Sequence, residues 1–198
     1  MPGLVAPVAD EREGLLAYLA QQRLVLRLTA HGLTEEQGRA SPSASSHSIA
    51  GLIKHVAIAE RLWMDTVLQH RREWSPEKHE DSFRLAPSET LAAVLDLYDQ
   101  AAKETDTIIT EIPDLGQPVP VPDPPWVAWV PSEVTAWSVR WVLLHLITET
   151  ARHAGHADII RESLDGATAR PLMAAAEEWR PNQGVQPWKA PAMERATA

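Results

Sequence analysis

Four ionisable side chains recur along one stretch of the sequence at a spacing that can assemble a metal site. They are His145, Glu149, His153 and His156, which follow one another after four, four and three residues. In an α-helix such steps return to the same face, so the four side chains form a single stripe. Apolar residues precede and follow the stripe, which places it on a face that the fold should bury. Buried ionisable groups are costly unless they are paired or bound to a metal, and a bound cation is therefore one explanation.

His55 offers a matching ligand from a second stretch of the chain. It lies between Leu52 and Leu62 on another apolar helical face. Glu149 and His153, four residues apart on one helix, can reach a single ion, and His55 would be the third ligand. Three protein ligands leave coordination positions open, which is typical of catalytic rather than structural zinc sites.

Each of these residues also has a simpler structural interpretation. His55 alone can be a hydrogen-bonded core histidine, and Glu149 with His153 can be a surface pair worth about 0.3 kcal/mol. We interpret His145 as a core residue or an outer neighbour of the site, with metal ligation as the less favoured alternative. We interpret His156 as either a fourth ligand or a proton-transfer group. The other histidines fall at predicted helix ends or in polar loops, where we expect them to be solvated: His31, His47, His70 and His79.

The composition excludes several classes of protein. The chain has 198 residues, of which 44% are hydrophobic and 23% charged, the balance of one globular domain. A formal net charge of −9 without a basic cluster argues against nucleic acid as a partner. The chain contains no cysteine, so disulfides, Cys-ligated zinc and a catalytic protein thiol are excluded. Neither a membrane span nor a signal peptide is evident, and we expect a cytoplasmic location.

Four segments with helical periodicity must position these side chains. They run from about Asp10 to His31, Ser46 to Arg72, Ser88 to Pro113 and Thr135 to Leu164. Between the first two, Thr34 and Gln37 form a capping box for a short helical turn. Gly166 follows the last segment where a helix C-cap is expected. No segment has the pattern of a strand, so the sequence predicts an all-α four-helix bundle.

Two segments depart from the helical pattern. Residues 113–131 include seven prolines together with Trp126 and Trp129. Because prolines lack the amide donors that sheet pairing requires, we expect an extended loop there, before the last helix. Residues 179–198, with Trp188, are treated as an extended C-terminal tail on a bundle domain of residues 1–178. The tryptophans either pin these segments onto the bundle or form a rim over a pocket.

Two sequence segments resemble the DinB/YfiT-like family of helical bundles. Residues 140–166, RWVLLHLITETARHAGHADIIRESLDG, resemble its last helix. Residues 51–64, GLIKHVAIAERLWM, resemble its second helix, with a metal-ligating histidine at His55. The resemblance extends from about Leu15 to Gly166. It implies an up-down-down-up four-helix bundle, often a homodimer, with one metal held by three side chains.

The resemblance is closest to the branch that contains mycothiol-dependent enzymes. Many family members carry a His-x-x-x-His pair on the last helix, whereas this chain has Glu149 at the first of those positions and His153 at the second. A set of His, Glu and His ligands is what the mycothiol-dependent isomerases and transferases use. The family thus implies that His55, Glu149 and His153 bind a divalent metal, with zinc as first choice and nickel, iron or manganese as alternatives.

The implied activity is transfer of a low-molecular-weight thiol such as mycothiol to a small electrophile, or an isomerisation that uses the thiol. Metal coordination favours the thiolate, which is the nucleophile. His156 is the predicted catalytic residue, for acid–base work or for orienting a ligand. Two alternatives remain open. The same ligands suit a hydrolase or an Fe(II) oxygenase, and the protein can also be a non-catalytic metal-binding or ligand-binding stress or interaction protein.

Overall fold

The computed structural model describes residues 4–70, 75–122, 130–182 and 184–189. Within these ranges the chain forms seven helices and one two-stranded sheet. In chain order the elements are α1 (Glu11–Leu28), α2 (Glu35–Arg39), α3 (Ile49–Val67), α4 (Pro76–Ser82), α5 (Leu91–Glu111), β1 (Pro118–Pro120), β2 (Ala136–Ser138), α6 (Val139–Asp165) and α7 (Ala169–Ala176). The four long helices α1, α3, α5 and α6 form the bundle, as predicted.

Ion pairs show that α3 and α5 run in the same direction. Lys54 pairs with Glu89 just before α5, with Nζ 2.7 Å from Oε2. Two turns further along α3, Arg61 pairs with Glu104 on α5, also at 2.7 Å. Residue numbers rise together along both helices, so the two helices are parallel.

The first and last helices are also parallel to each other. At one end of the bundle Arg140 pairs with Glu11, with Nε 2.6 Å from Oε1. At the other end Arg161 donates to the main-chain oxygens of Thr29 and His31, at 2.7 and 2.8 Å.

Helix α3 is antiparallel to α6, because His55 lies near His153 while Trp63, further along α3, lies near the earlier residue Trp141. The order is therefore up-down-down-up, which confirms the expected fold class.

A charged cluster lies inside the bundle where α1, α3 and α5 meet. Arg23 is 6% exposed and Glu60 is fully buried, and the two form an ion pair. Arg23 also donates to Asp106 on α5 at 2.8 Å. Buried charges of this kind are stable only when paired, so the cluster fixes the register of the three helices.

Helix caps define the ends of several helices, in the bundle and beside it. Thr34 and Gln37 form the predicted capping box at the start of α2, with both hydrogen bonds present. Gly166 ends α6 in the left-handed region at φ 75°, as expected for a C-cap glycine. The third predicted helix starts later than expected, because the Thr90 side chain, rather than Ser88, accepts the capping hydrogen bond from Ala93.

The expectation that residues 113–131 form only a loop is wrong, because β1 pairs antiparallel with β2. The amides of Val121 and Val139 donate across the ribbon to the carbonyls of Thr135 and Gln117, at 3.0 and 3.3 Å. The hydrogen-bonded positions around β1 are therefore odd-numbered. Both prolines of β1 occupy even-numbered positions, whose nitrogens point away from β2, so no ladder donor is lost. The residues of β2 were expected to belong to the last helix, which instead begins at Val139.

Part of the C-terminal tail packs on the bundle. Trp188 donates its main-chain N–H to Pro171 at 2.9 Å, and the Arg161 guanidinium lies 4.6 Å from the centre of its ring. This contact agrees with a pinning role for Trp188, whereas Trp126 and Trp129 lie outside the described residues. The division at residues 178 and 179 stays a prediction. In the described ranges no helix is both long and apolar enough to cross a membrane.

Candidate metal centre

Helices α3 and α6 bring together the three side chains predicted as ligands. His55 and His153 are 4% and 7% exposed, and the Glu149 side chain is 28% exposed. One ligand atom from each of the three lies within 4.8 Å of the other two. Nε2 of His153 is 3.0 Å from Oε1 of Glu149, and Nε2 of His55 is 3.6 Å from the same oxygen. Among the described residues this is the one cluster of metal-ligand type.

The spacing of these atoms fits a small divalent cation. Zinc binds His nitrogen and carboxylate oxygen at about 2.0–2.2 Å, which separates ligands of a tetrahedral site by about 3.4 Å. The separations of 3.0 and 3.6 Å bracket that value. At 3.6 Å, His55 and Glu149 are too far apart for a hydrogen bond, so their facing lone pairs are left without a shared proton. The residues present therefore fit the group that the sequence predicted.

The protonation states also suit a cation. The hydrogen bond with His153, followed by the nearby His55 imidazole, holds the pKa of Glu149 far below its ordinary value, so this carboxylate is ionised at neutral pH. Burial lowers the pKa of His55, so its imidazole is neutral. Metal ligands must be deprotonated before they bind, and these two groups meet that condition without a proton having to leave.

The short helix α4 covers the outer side of His55. Ser82, the last residue of α4, has its Oγ 2.7 Å from Nδ1 of His55. The next residue, Phe83, stacks on the His55 imidazole with a centroid distance of 3.7 Å and an interplanar angle of 13°. Gly51 of α3 permits this approach, because a Cβ at that position would lie 2.1 Å from the Phe83 carbonyl oxygen. Sequence periodicity did not reveal α4, although Ser75 followed by Pro76 is a typical N-cap and first helical residue.

Two histidines that were expected to be merely solvated lie beside the site. The ring of His79 is 5.3 Å from that of His55 and exposed, so it is solvated but not remote. His47, half-buried just before α3, lies 4.9 Å from the Phe83 ring. Burial, followed by the neighbouring His153 and His156, lowers the pKa of His47. Ser48 caps α3, so His47 is the residue directly before the cap.

His156 lies at the rim of the cluster rather than among its ligands. It is exposed, and its ring centroid is 5.8 Å from that of His153 and 6.3 Å from that of His47. It is not one of the three grouped ligand residues. Its catalytic role stays a prediction.

His145 belongs to an aromatic column one turn before Glu149. It stacks on Trp141 at 5.3 Å with an interplanar angle of 2°, and it lies 4.7 Å from the Trp63 ring. Burial lowers its pKa, so it is a neutral packing partner at neutral pH. The interpretation of His145 as a core residue beside the site agrees with these contacts.

The sequence of the bundle itself assigns the chain to a family. Residues 14–166, a span that includes all three ligand candidates, match the family model described as mycothiol-S-transferase. The chain belongs to the mycothiol-S-transferase family. This assignment confirms the resemblance drawn from residues 51–64 and 140–166. No curated protein matches this member of the mycothiol-S-transferase family in sequence.

A solved structure supports the fold of this mycothiol-S-transferase family member. A conserved protein from Enterococcus faecalis, known from its crystal structure, superposes with a TM-score of 0.62 at 13% sequence identity. The alignment covers 81% of this chain and 100% of the other. At that identity the likeness concerns the fold alone, and it adds independent support for the bundle.

Proposed function

We propose that the protein is a divalent-metal-dependent S-transferase that joins a low-molecular-weight thiol of the mycothiol type to a small electrophile. The observation that carries the proposal is the cluster of His55, Glu149 and His153, with ligand atoms within 4.8 Å of one another. Three protein ligands leave room for a further ligand, as in catalytic rather than structural sites. The family to which the chain belongs suggests mycothiol as the thiol co-substrate.

The three side chains would hold the cation, His55 from α3 and Glu149 with His153 from α6. A divalent cation bound there would lower the pKa of a thiol, so that the thiolate is present near neutral pH. The sulfur must come from a bound co-substrate, because the chain has no cysteine.

His156 is our candidate for the group that takes the thiol proton. Its exposed ring stands next to the buried His153, so it can contact both solvent and a molecule at the site. In the proposed reaction the thiol proton passes to the His156 imidazole, and the sulfur forms a bond to the electrophilic carbon. The leaving group, for instance chloride, departs with the pair of electrons of the broken carbon–chlorine bond. His156 then returns the proton to solvent.

The test is a conjugation assay with mycothiol and 1-chloro-2,4-dinitrobenzene, in which formation of the thioether is followed by absorbance. Protein reconstituted with Zn²⁺ should form the conjugate faster than the spontaneous reaction, and His153→Ala should abolish the difference. His156→Ala should lower kcat by about 10²-fold or more if its imidazole accepts the proton. Bacillithiol and glutathione in place of mycothiol would define the thiol.

A matched control separates proton transfer from general disturbance of α6. Arg152→Ala changes an exposed residue next to His153 and should leave the rate unchanged. Absence of thiol conjugation with every metal and thiol tested would overturn the proposal. Turnover that proceeds without thiol would instead identify a hydrolase.

A further inference from the structure

Ser82, a residue with no role in the sequence interpretation, contacts the outer nitrogen of a ligand candidate. We propose that Ser82 is a positioning residue, which holds the His55 imidazole in the tautomer that carries its proton on Nδ1 and presents a free lone pair on Nε2. The hydroxyl does not contact the site directly and would act only through His55.

The direction of the Ser82 hydrogen bonds follows from the inventory of donors. Ser82 Oγ lies 2.5 Å from the main-chain oxygen of His79 and 2.7 Å from Nδ1 of His55. A carbonyl oxygen only accepts, and two oxygens at 2.5 Å must have a hydrogen between them. The single hydroxyl hydrogen of Ser82 is therefore donated to His79. Its oxygen can then only accept, so Nδ1 of His55 must be the donor.

The consequence for His55 is a defined arrangement of its one ring proton. A neutral imidazole with hydrogen on Nδ1 has a lone pair on Nε2. That nitrogen is the one that faces Oε1 of Glu149, at 3.6 Å. The Ser82 contact thus leaves Nε2 of His55 unprotonated, with its lone pair available to a cation, before any ion is present.

His153 provides an internal contrast. Its Nδ1 is buried and has no hydrogen-bond partner in the described part of the chain. Its proton is therefore free to reside on Nε2, which is 3.0 Å from Oε1 of Glu149. The two histidines are thus not equivalent: in the described part of the chain, Nδ1 of His55 has a hydrogen-bond partner and Nδ1 of His153 has none.

The surrounding structure holds Ser82 in place. Ser82 is the last residue of α4 and is buried, with 4% of its surface exposed. The Ser75 side chain caps the other end of α4 by accepting from Lys78 at 3.2 Å. Phe83 stacks on the His55 ring and fixes its plane. The hydroxyl sets the proton position, while the packing sets the ring position.

The first test is made on metal-free protein, so it does not depend on the proposed function. Ring ¹⁵N chemical shifts, measured by NMR at pH 7.5 and assigned with His55→Gln, report which nitrogen of His55 carries the proton. We expect Nδ1–H in the wild type. In Ser82→Ala, we expect a shift towards Nε2–H, because Nδ1 loses its hydrogen-bond acceptor and a proton on Nε2 would face the Glu149 carboxylate. Nε2–H in the wild type, or no change in Ser82→Ala, would overturn the inference.

The second test concerns metal binding and rests on the proposed site. Zn²⁺ affinity is measured by competition with a chelating dye. Ser82→Ala should bind Zn²⁺ about 10–100-fold more weakly than the wild type, the usual effect of losing the outer partner of a ligating histidine. Ser75→Ala weakens the same helix but leaves the Ser82 hydroxyl, and should stay close to wild type. Equal losses in the two variants would overturn the inference, since α4 stability would then explain them.

The two tests separate the two ideas. If the wild-type protein binds no Zn²⁺ but shows the tautomer switch, the proposed function is contradicted, while the control of the His55 tautomer by Ser82 is supported. If Ser82→Ala binds Zn²⁺ as tightly as the wild type, the metal site of the proposed function is supported, while the positioning role of Ser82 is contradicted.

Discussion

Nε2 of His55 on α3 faces Oε1 of Glu149 on α6 across 3.6 Å, in the interior of the bundle. The same carboxylate oxygen is 3.0 Å from His153 on its own helix. One oxygen thus joins two helices whose sequence segments are far apart. This convergence of three ligand-type atoms from two helices is the arrangement that the proposed shared cation requires.

Acid should destabilise the metal-free protein. Burial lowers the pKa of His55 below its ordinary value of 6.5, and burial acts the same way on His145. Below pH 6.5 the unfolded chain therefore binds protons that the folded chain does not, so the free energy of unfolding falls as pH falls. Urea unfolding at pH 7.5 and 5.5, with a chelator present, measures the change.

His55→Phe is the matched variant for this pH effect, because it keeps a ring against Phe83 and removes the titrating group. Its stability should depend less on pH than that of the wild type. Equal stability of the wild-type protein at the two pH values would contradict the burial of neutral histidines.

Gly51→Ala should displace α4 from the site. A Cβ at residue 51 would lie 2.1 Å from the carbonyl oxygen of Phe83, and this is backbone that cannot rotate away. We expect a loss of about 1–3 kcal/mol in the free energy of unfolding, as for other overpacked sites. Weaker Zn²⁺ binding should accompany it, because Ser82 moves with Phe83.

Gly38→Ala is the control for Gly51→Ala. Its new Cβ would lie 3.2 Å from the Leu91 side chain, which can adjust, and in ordinary contact with Ala50 Cβ at 3.7 Å. This variant should stay near wild type in stability and in Zn²⁺ affinity. If Gly51→Ala matched Gly38→Ala in stability and in Zn²⁺ affinity, the close packing of Phe83 against Gly51 would be contradicted.

Two glycines of α6 should respond to alanine with opposite signs. Gly155 is exposed within the helix, and an added Cβ meets nothing within 4 Å. Gly155→Ala should stabilise the protein by about 0.5–1 kcal/mol, because alanine loses less backbone entropy in a helix. Gly166 has φ 75°, so Gly166→Ala should cost about 1–2 kcal/mol. Urea unfolding of both variants at pH 7.5 checks the signs. An increase in the free energy of unfolding in Gly166→Ala as well as in Gly155→Ala would contradict the left-handed conformation of Gly166.

The bundle and the clustering of the three ligand candidates were predictable because they follow helical periodicity. Glu149 and His153 are four residues apart on an apolar face, and His55 interrupts another such face. Those patterns report burial directly, so the sequence was enough to name all three residues. The order of the helices came from the family resemblance, and the ion pairs and ring contacts between helices confirm it.

The surroundings of the ligands were not predictable in the same way. The seven residues of α4 are too short to show a periodic pattern, and Pro76 reads as a helix breaker although it is the first residue of that helix. The contact of Ser82 with His55 depends on how α4 packs, which no local pattern encodes. The β1 strand was missed because its prolines suggest a loop, and only the register of pairing shows that they occupy positions that need no donor.

The most direct test of the account is the metal content of untagged protein, measured by mass spectrometry after reconstitution with Zn²⁺ and removal of free metal. The wild type should hold about one equivalent per chain, as expected for one cluster of three ligands. His153→Ala should lose it. His145→Phe, which keeps the aromatic stacking on the same helix face but removes a histidine outside the cluster, should retain it. No metal in the wild type, or equal metal in His153→Ala, would contradict the assignment of His55, Glu149 and His153 as ligands.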